Sequence, residues 1–324
     1  MPFLRAWPLI LLPISLLSAS PISQLVVFGD SLSDNGNAFI GTGGAIPAPP
    51  AYTAGRFTDG PDTTPSTALT GIWVEQLAAK LGVAVPQPFL AGGTNYAVGG
   101  SDTGFGTAPS PGMKAEVATF LSSSPLPVSP SALYILWGGS GDLLGAATPA
   151  DVLAAEPAAI ANLSAEISAL ALAGARDFLW LDLPPLGQIP RHLNSPLHNA
   201  EATASAQFQT DWQQAIPALE AANPGISITG LDVYALYNQI AADPAAFGFA
   251  NVTSSAQFQN VNPDTYLFWD DEHPTTAGHA VLANAAFAAL EASSVPEPSS
   301  ILLLAGGILA LALMARRSRF VPSR

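Results

Sequence analysis

Short apolar runs alternate with longer stretches of helical period along most of the chain. Runs rich in β-branched and aromatic residues predict strands at residues 24–28, 94–98, 132–137, 177–183 and 226–231. Stretches rich in alanine and leucine, with apolar positions on one helical face, predict helices at residues 72–81, 114–122, 151–173, 200–222 and 276–292. Strands that alternate with helices in this way predict an α/β fold with a parallel sheet covered on both faces.

Two stretches interrupt this alternation. Residues 41–70 are rich in glycine, proline and threonine, and residues 240–265 show only weak periodicity. Long loops in a compact domain are often binding loops or lids, but they can equally be plain surface loops. Both interpretations stay open for the two segments.

The first residues have the pattern of a secretory signal. The stretch MPFLRAWPLILLPISLLSAS carries one positive charge, at Arg5, followed by an apolar run and then small residues. We place the cleavage between Ala19 and Gln24. Residues 1–23 are therefore predicted to be a signal peptide, and the protein is predicted to be exported.

The last residues combine an apolar run with a basic flank. Residues 300–315 carry no charge, and arginines follow at positions 316, 317 and 319. The run is slightly shorter than the roughly 20 residues that span a bilayer. The basic cluster predicts that its own flank stays cytoplasmic, which places the body of the protein outside the inner membrane.

This tail resembles the PEP-CTERM sorting signal, which joins a Val-Pro-Glu-Pro motif, here residues 295–298, to a hydrophobic helix and an arginine cluster. The resemblance implies an exported bacterial protein that the helix holds in the inner membrane until an exosortase-type sorting enzyme removes it. Residues 295–324 would form the sorting segment, and residues 24–294 the main domain at the cell envelope, on the cell surface or in the medium. A plain C-terminal membrane anchor is the competing interpretation.

Charge and cysteine content narrow the possible functions. The chain has 24 acidic residues against 10 lysines and arginines, a formal net charge of −14. Such a surface repels nucleic acid, so no nucleic-acid partner is expected. Because the chain has no cysteine, a cysteine nucleophile and a thiolate metal site are excluded.

A serine follows directly on the first predicted strand. In VVFGDSLSDNGN, residues 26–37, the apolar run passes into Gly29, Asp30 and then Ser31. Ligands of parallel sheets bind beyond the carboxyl ends of the strands, where Ser31 would lie. A serine becomes a nucleophile only when a base lies within hydrogen-bond reach and a carboxylate orients that base.

Among the four histidines, His273 has the best-placed acid. In FWDDEHPTTAGH, Asp270 precedes it by three residues, which lets a tight turn bring the carboxylate to Nδ1 and leaves Nε2 free for a serine. The predicted helix from residue 276 begins just after His273, so we expect the helix dipole to lower the pKa of the imidazole.

The other histidines are predicted to have no catalytic role. His279 would lie on the helix as a structural or surface residue. His192 and His198 lie in a polar loop, where they would be solvated or line the substrate mouth. A metal site built from these three is left open, although no ligand pair has helical spacing.

Four stretches together resemble the sequence blocks of the GDSL, or SGNH, hydrolases. They are FGDSLSDNGN (28–37), TNYAVGGS (94–101), LWGGSGDLL (136–144) and DDEHPT (270–275), in the family's order. Further matches are GRFTDG (55–60) and LDLPPLG (181–187). Four blocks in order make the resemblance specific.

The resemblance implies a flavodoxin-like three-layer α/β/α sandwich with a five-stranded parallel sheet, and an acyl-ester hydrolase mechanism. Ser31 would be the nucleophile, His273 the general base and acid, and Asp270 the residue that orients it. The backbone N–H groups of Ser31 and Gly100 would stabilise the oxyanion. This mechanism needs an ester substrate and requires neither a metal nor an organic cofactor.

The third block departs from the family pattern at Gly141. The family has an asparagine there, whose side chain donates to the oxyanion, and loss of one such donor costs about 10²–10³ in rate. Three explanations stay open: the Ser140 hydroxyl replaces the amide, a water or a residue of 41–70 fills the gap, or efficient catalysis has been lost. We assign Ser140 and Gly141 to the oxyanion hole with Ser31 and Gly100, and expect Gly141→Asn to retain or raise activity.

The leading hypothesis is an exported serine esterase or lipase that cleaves carboxylic esters through an acyl-serine intermediate. A polysaccharide O-deacetylase is an alternative within the same chemistry, and it would prefer acetyl esters to long acyl chains. A non-catalytic carbohydrate- or matrix-binding protein on the same fold is the other alternative, because of Gly141.

Overall fold

The computed structural model describes residues 22–63, 70–106 and 109–294. The predicted sorting segment, and all but the last two residues of the predicted signal peptide, lie outside this part of the chain. Within the described ranges, no helix is both long and apolar enough to cross a bilayer.

A four-stranded parallel sheet lies at the centre. Its strands are β1 (Gln24–Gly29), β2 (Ala132–Trp137), β3 (Asp177–Leu181) and β4 (Ser227–Leu231), paired in that order. Every residue of β2 is buried, as expected of a central strand in a sheet covered on both faces. The predicted α/β fold with a parallel sheet is confirmed.

Helices connect the strands and cover the sheet. In the described ranges they are α1 (Asn37–Gly41), α2 (Trp73–Leu81), α3 (Met113–Ser123), α4 (Ser140–Leu144), α5 (Pro149–Ala173), α6 (His198–Ala222), α7 (Val233–Ala242) and α8 (Thr276–Ser294). The five predicted helices correspond to α2, α3, α5, α6 and α8. The other three, α1, α4 and α7, were not predicted.

Alternate strand residues build two separate cores. From β1, Val26 and Phe28 pack with apolar residues of α3, α5 and α6, whereas Leu25 and Val27 pack with α2 and α8 on the opposite face. Successive side chains of a strand point to opposite faces, so a continuous apolar strand fills both cores. The result is a three-layer α/β/α sandwich.

The predicted fifth strand is the main difference in the sheet. Residues 94–98 run beside β1. Val27 N donates to Thr94 O at 3.0 Å, and Tyr96 N donates to Val27 O at 2.7 Å, but their only bridge to β1 in the described residues is an isolated one between Val27 and Asn95. The Asn95 side chain accepts from the N–H of Ala97 at 3.0 Å, and such a local bond competes with regular strand pairing. The sheet therefore has four strands rather than five.

Residues 240–265 form more regular structure than their weak periodicity indicates. They contain the end of α7 and strand β5 (Asn251–Ser255), which pairs with β6 (Tyr266–Phe268) in a second small sheet. Because β6 ends two residues before Asp270, this small sheet helps to place the segment that carries Asp270 and His273.

Candidate active site

A tight turn after β1 presents Ser31 at the carboxyl edge of the sheet. The buried carboxylate of Asp30 accepts from Leu32 N at 3.0 Å, and the Asp30 carbonyl accepts from Ser33 N at 3.1 Å. Because β1 stops at Gly29, Ser31 lies beyond the strand rather than inside the core.

The predicted acid and base meet this serine. Nε2 of His273 lies 2.8 Å from Ser31 Oγ, and Nδ1 lies 2.7 Å from Asp270 Oδ2. The turn between acid and base is closed by the N–H groups of His273 and Glu272, which donate to Asp270 Oδ1 at 2.6 and 2.8 Å. The fold thus brings together Ser31 and His273, which are 242 positions apart in the chain.

In both Asp270 and His273, burial and the charge of the partner shift the pKa in opposite directions. Burial alone would raise the pKa of Asp270, but the His273 charge and the hydrogen bonds it accepts lower that pKa to about 2. Burial alone would lower the pKa of His273, but the Asp270 charge and the hydrogen bond between them raise it above its usual value. The expected net lowering of the His273 pKa is therefore wrong, because the Asp270 carboxylate outweighs the effect of burial.

Two backbone N–H groups are available beside the serine. Ser31 and Gly100 line the same pocket. Gly100 has a φ of +80°, and a Cβ there would lie 2.8 Å from Ser110 Oγ, so the position requires glycine. Within the described residues, neither the N–H of Ser31 nor that of Gly100 donates to another protein group. Both can therefore donate to a ligand.

A buried carboxylate on α3 ties the end of β1 to the loop that contains Gly100. Glu116 Oε2 accepts from Gly29 N at 2.9 Å, while Oε1 accepts from Ser101 Oγ at 2.8 Å and from Val98 N at 3.2 Å. Burial raises the pKa of Glu116 well above its usual value, and these donors oppose that rise. No sequence motif pointed to this residue.

Close backbone packing explains the glycine at position 141. A Cβ on Gly141 would lie 2.4 Å from the carbonyl oxygen of Ser101. That oxygen belongs to the backbone, so it cannot turn aside as a side chain could. This contact argues against the expectation that Gly141→Asn retains or raises activity, because the backbone of Ser101 packs where a side chain at position 141 would lie.

Of the three explanations for the absent asparagine, the Ser140 hydroxyl has the most support. Ser140 and Gly141 line the pocket together with Ser31. Ser140 Oγ is buried and has no hydrogen-bond partner in the described part of the chain. By contrast, no described residue of 41–63 lines this pocket.

Family comparison agrees with this geometry. The model of GDSL-like lipases and acylhydrolases matches residues 25–286. The chain belongs to this family. It is therefore an ester-hydrolysing enzyme of the GDSL type. A PEP-CTERM protein-sorting motif matches residues 294–318, which indicates an exported protein that an exosortase recognises.

Known relatives and solved structures resemble most of the described domain. The phosphatidylcholine-sterol acyltransferase of Aeromonas hydrophila is 27% identical over 323 residues, covering 85% of this chain and 92% of the relative. Esterase EstA of Pseudomonas aeruginosa is 30% identical over 319 residues, but these cover 84% of this chain and only 47% of the esterase. The acetylxylan esterase Axe2 of Geobacillus stearothermophilus is 13% identical with a TM-score of 0.47, covering 84% of this chain and 96% of that structure.

An apolar pocket opens beside Ser31 in this GDSL hydrolase. Its volume is about 110 Å³, and its polar residues include Ser31, Ser140 and Glu272. The rest of the lining is mostly apolar or aromatic and comes from separate helices and loops, for example Leu144, Leu186, Ile189, Leu236, Ile240 and Val281. The pocket could not be predicted because its walls come from segments far apart in the sequence.

The described part of the segment 41–70 packs on the acid and the base. The Tyr52 hydroxyl donates to Asp270 Oδ2 at 2.8 Å, and the Phe57 ring stacks on the His273 ring with centroids 5.1 Å apart. This described part of residues 41–70 therefore belongs to the candidate active site. Neither aromatic residue was singled out from the sequence, although Phe57 lies in the GRFTDG motif.

Two of the other histidines are buried. On α8, burial lowers the pKa of His279 to about 3. His192 is buried as well, with Nδ1 2.7 Å from Glu201 Oε2. Burial lowers the pKa of His192 and raises the pKa of Glu201 to about 7. Among the described residues, no group of three or more His, Cys, Asp or Glu side chains is arranged to hold a metal ion.

Proposed function

We propose that the protein is an exported serine hydrolase that cleaves carboxylic esters through an acyl-serine intermediate. Ser31 is the nucleophile, His273 the general base and acid, and Asp270 the carboxylate that orients His273. One observation carries the proposal: contacts of 2.8 and 2.7 Å connect Ser31 Oγ through the imidazole to Asp270. A serine needs this arrangement to become a nucleophile.

The reaction proceeds in two halves. Ser31 Oγ attacks the ester carbonyl carbon while Nε2 of His273 takes the hydroxyl proton. The ionised Asp270 stabilises the imidazolium, which then protonates the leaving alcohol as its C–O bond breaks. Water attacks the acyl-serine with His273 again as base, and the carboxylic acid is released together with the free Ser31 hydroxyl.

Three donors are proposed to bind the oxyanion: the N–H groups of Ser31 and Gly100 and the hydroxyl of Ser140. A buried polar group without a partner is costly. The unpartnered Ser140 Oγ would gain a partner when the tetrahedral intermediate forms. Gly141 then contributes by letting the backbone of Ser101 approach closely, rather than by donating a hydrogen bond.

The apolar pocket supports acyl chains longer than acetyl. Each buried methylene contributes about 0.8 kcal/mol, which corresponds to about fourfold in kcat/KM. An acetyl group would leave most of the lining, including Leu236, Ile240 and Val281, without an apolar partner. We therefore favour an esterase or lipase for acyl esters of intermediate length over a polysaccharide O-deacetylase.

A series of p-nitrophenyl esters with acyl chains of increasing length tests the proposed nucleophile and the pocket together. Between p-nitrophenyl acetate and octanoate, kcat/KM should rise by up to about fourfold per methylene. It should fall for palmitate, whose chain exceeds the pocket of about 110 Å³. Ser31→Ala should lower kcat by about 10⁴-fold or more, whereas Ser122→Ala, at an exposed serine of α3, should leave it unchanged.

Each contrary outcome points to a different alternative. Activity that survives Ser31→Ala would reject the proposed nucleophile. A maximum at acetate would favour the polysaccharide O-deacetylase. A folded protein that turns over none of the esters would favour the non-catalytic carbohydrate- or matrix-binding protein that Gly141 first suggested.

We also propose how the chain is divided and processed. Residues 1–23 form the signal peptide, residues 24–294 the hydrolase domain, and residues 295–324 the sorting segment. Before processing, the sorting segment holds the protein in the inner membrane, and removal by an exosortase-type enzyme then frees the domain at the cell surface or into the medium. The sorting-motif match at residues 294–318 supports this order.

A further inference from the structure

The GRFTDG motif is not used by the reaction steps above, yet it holds the segment around His273. Thr58 Oγ1 donates to Pro274 O at 2.9 Å, directly after the base. Asp59 Oδ1 accepts from Thr276 N at 2.6 Å, where α8 begins. The motif therefore fixes the chain that leads from the proposed base into its helix.

Tyr52, a few residues before this motif, reaches the acid itself. Its hydroxyl donates to Asp270 Oδ2, the same oxygen that lies 2.7 Å from Nδ1 of His273. The neighbouring Ala51 O accepts from Trp269 Nε1 at 2.9 Å. Protein contacts alone therefore hold Tyr52 against the acid, without a substrate.

We propose that Tyr52 is a positioning residue that sets the basicity of His273 through Asp270. This inference rests on the proposed function. A hydrogen bond donated to a carboxylate draws off part of its negative charge, so the carboxylate stabilises the imidazolium less strongly. Phe57 supports the same arrangement, because its ring stacks on the imidazole at 25° and limits tilting away from Asp270.

Other charged or titratable groups also face Tyr52 or His273. They come from the turn after β1, the acid–base segment and α8: Asp30, Asp271, Glu272 and His279. Arg191 forms an ion pair with Glu272, which partly balances that charge. Because Tyr52→Phe removes only a hydroxyl and leaves all of these in place, a changed pH profile reports the lost hydrogen bond.

The test compares Tyr52→Phe with Tyr134→Phe. The Tyr134 hydroxyl donates to Ser129 O at 2.8 Å, so this control loses a bond of the same length outside the site. The pH profile of kcat/KM is measured for p-nitrophenyl butyrate. In Tyr52→Phe, the apparent pKa of the acid limb should rise by about half a pH unit or more. Its kcat at neutral pH should fall about fivefold with little change in KM, while Tyr134→Phe keeps the wild-type profile.

A pH titration of His273, carried out in a variant that lacks the proposed nucleophile, separates this inference from the proposed function. The pKa of His273 is measured by NMR in Ser31→Ala, with and without Tyr52→Phe, and should be higher in the double variant. An unchanged or lowered pKa, together with an unchanged pH profile in the single variant, would overturn the inference. Activity surviving in Ser31→Ala would overturn the proposed nucleophile instead, and the titration would still decide the role of Tyr52.

Discussion

At the scale of single residues, the site depends on a position where no side chain fits. The missing Cβ of Gly141 leaves room for the Ser101 carbonyl oxygen, which would otherwise be 2.4 Å away. Gly141→Asn should therefore shift the loop and lower kcat by about 10- to 100-fold, as small displacements in an active site do. Steady-state hydrolysis of p-nitrophenyl butyrate measures this loss.

A second helical glycine provides the control. A Cβ at Gly41 on α1 would meet only Leu90 Cδ1, at an ordinary 3.6 Å, so Gly41→Ala should keep full activity. In the same assay, Ser140→Ala should lower kcat by about 10²-fold if its hydroxyl is an oxyanion donor. Wild-type activity in Gly141→Asn would show that the Ser101 loop can give way.

At the scale of elements, α3 connects two loops through Glu116. Glu116→Ala would leave the buried N–H of Gly29 and the buried hydroxyl of Ser101 without the acceptor they now have. Each such group costs about 1–3 kcal/mol, so the free energy of unfolding should fall by about 2–6 kcal/mol. Urea denaturation measures this loss, and kcat should fall as well because the loop that contains Gly100 loses its support.

Glu166 on α5 offers a matched control for this element. It is buried like Glu116, but its two carboxylate oxygens have no hydrogen-bond partner in the described residues. Glu166→Ala should therefore destabilise the protein much less than Glu116→Ala. Equal losses in the two variants would mean that burial, and not the hydrogen bonds to β1 and its neighbouring loop, accounts for the stabilisation.

At the scale of the whole molecule, buried acids make stability depend on pH. Burial raises the pKa of Asp30 to about 7 and that of Asp182 to about 8. A carboxyl with a raised folded pKa stabilises the folded state fully below its unfolded pKa, and this contribution is lost as the pH rises through the folded pKa. The Tm should therefore fall by about 5 °C between about pH 4 and pH 8.

A single substitution tests the origin of this trend. In Asp182→Asn, the amide oxygen can still accept from Val233 N and Tyr234 N at the start of α7, but the group no longer ionises. Calorimetry should then give a flatter dependence of Tm on pH. A dependence as steep as that of the wild type would assign the trend to the net charge of −14 rather than to buried carboxyls.

Local patterns in the sequence predicted a large part of the fold and the proposed catalytic residues. The apolar runs marked β1 to β4 because strands buried on both faces are continuously apolar. The three-residue spacing of Asp270 and His273 indicated their contact because a single turn closes it. The same logic failed for residues 94–98, which form only an isolated bridge with β1, since the Asn95 side chain bonds to the neighbouring backbone.

Taken by itself, the sequence determined the α/β class, the family blocks and the pairing of Asp270 with His273, because these depend on neighbouring residues. Only the tertiary structure decided which distant groups surround them. Tyr52 on the acid, Glu116 between two loops and the apolar pocket all depend on contacts between segments far apart in the chain. The glycine at position 141 is explained in the same way, because its reason is the nearby backbone of Ser101 and not any residue beside it in the sequence.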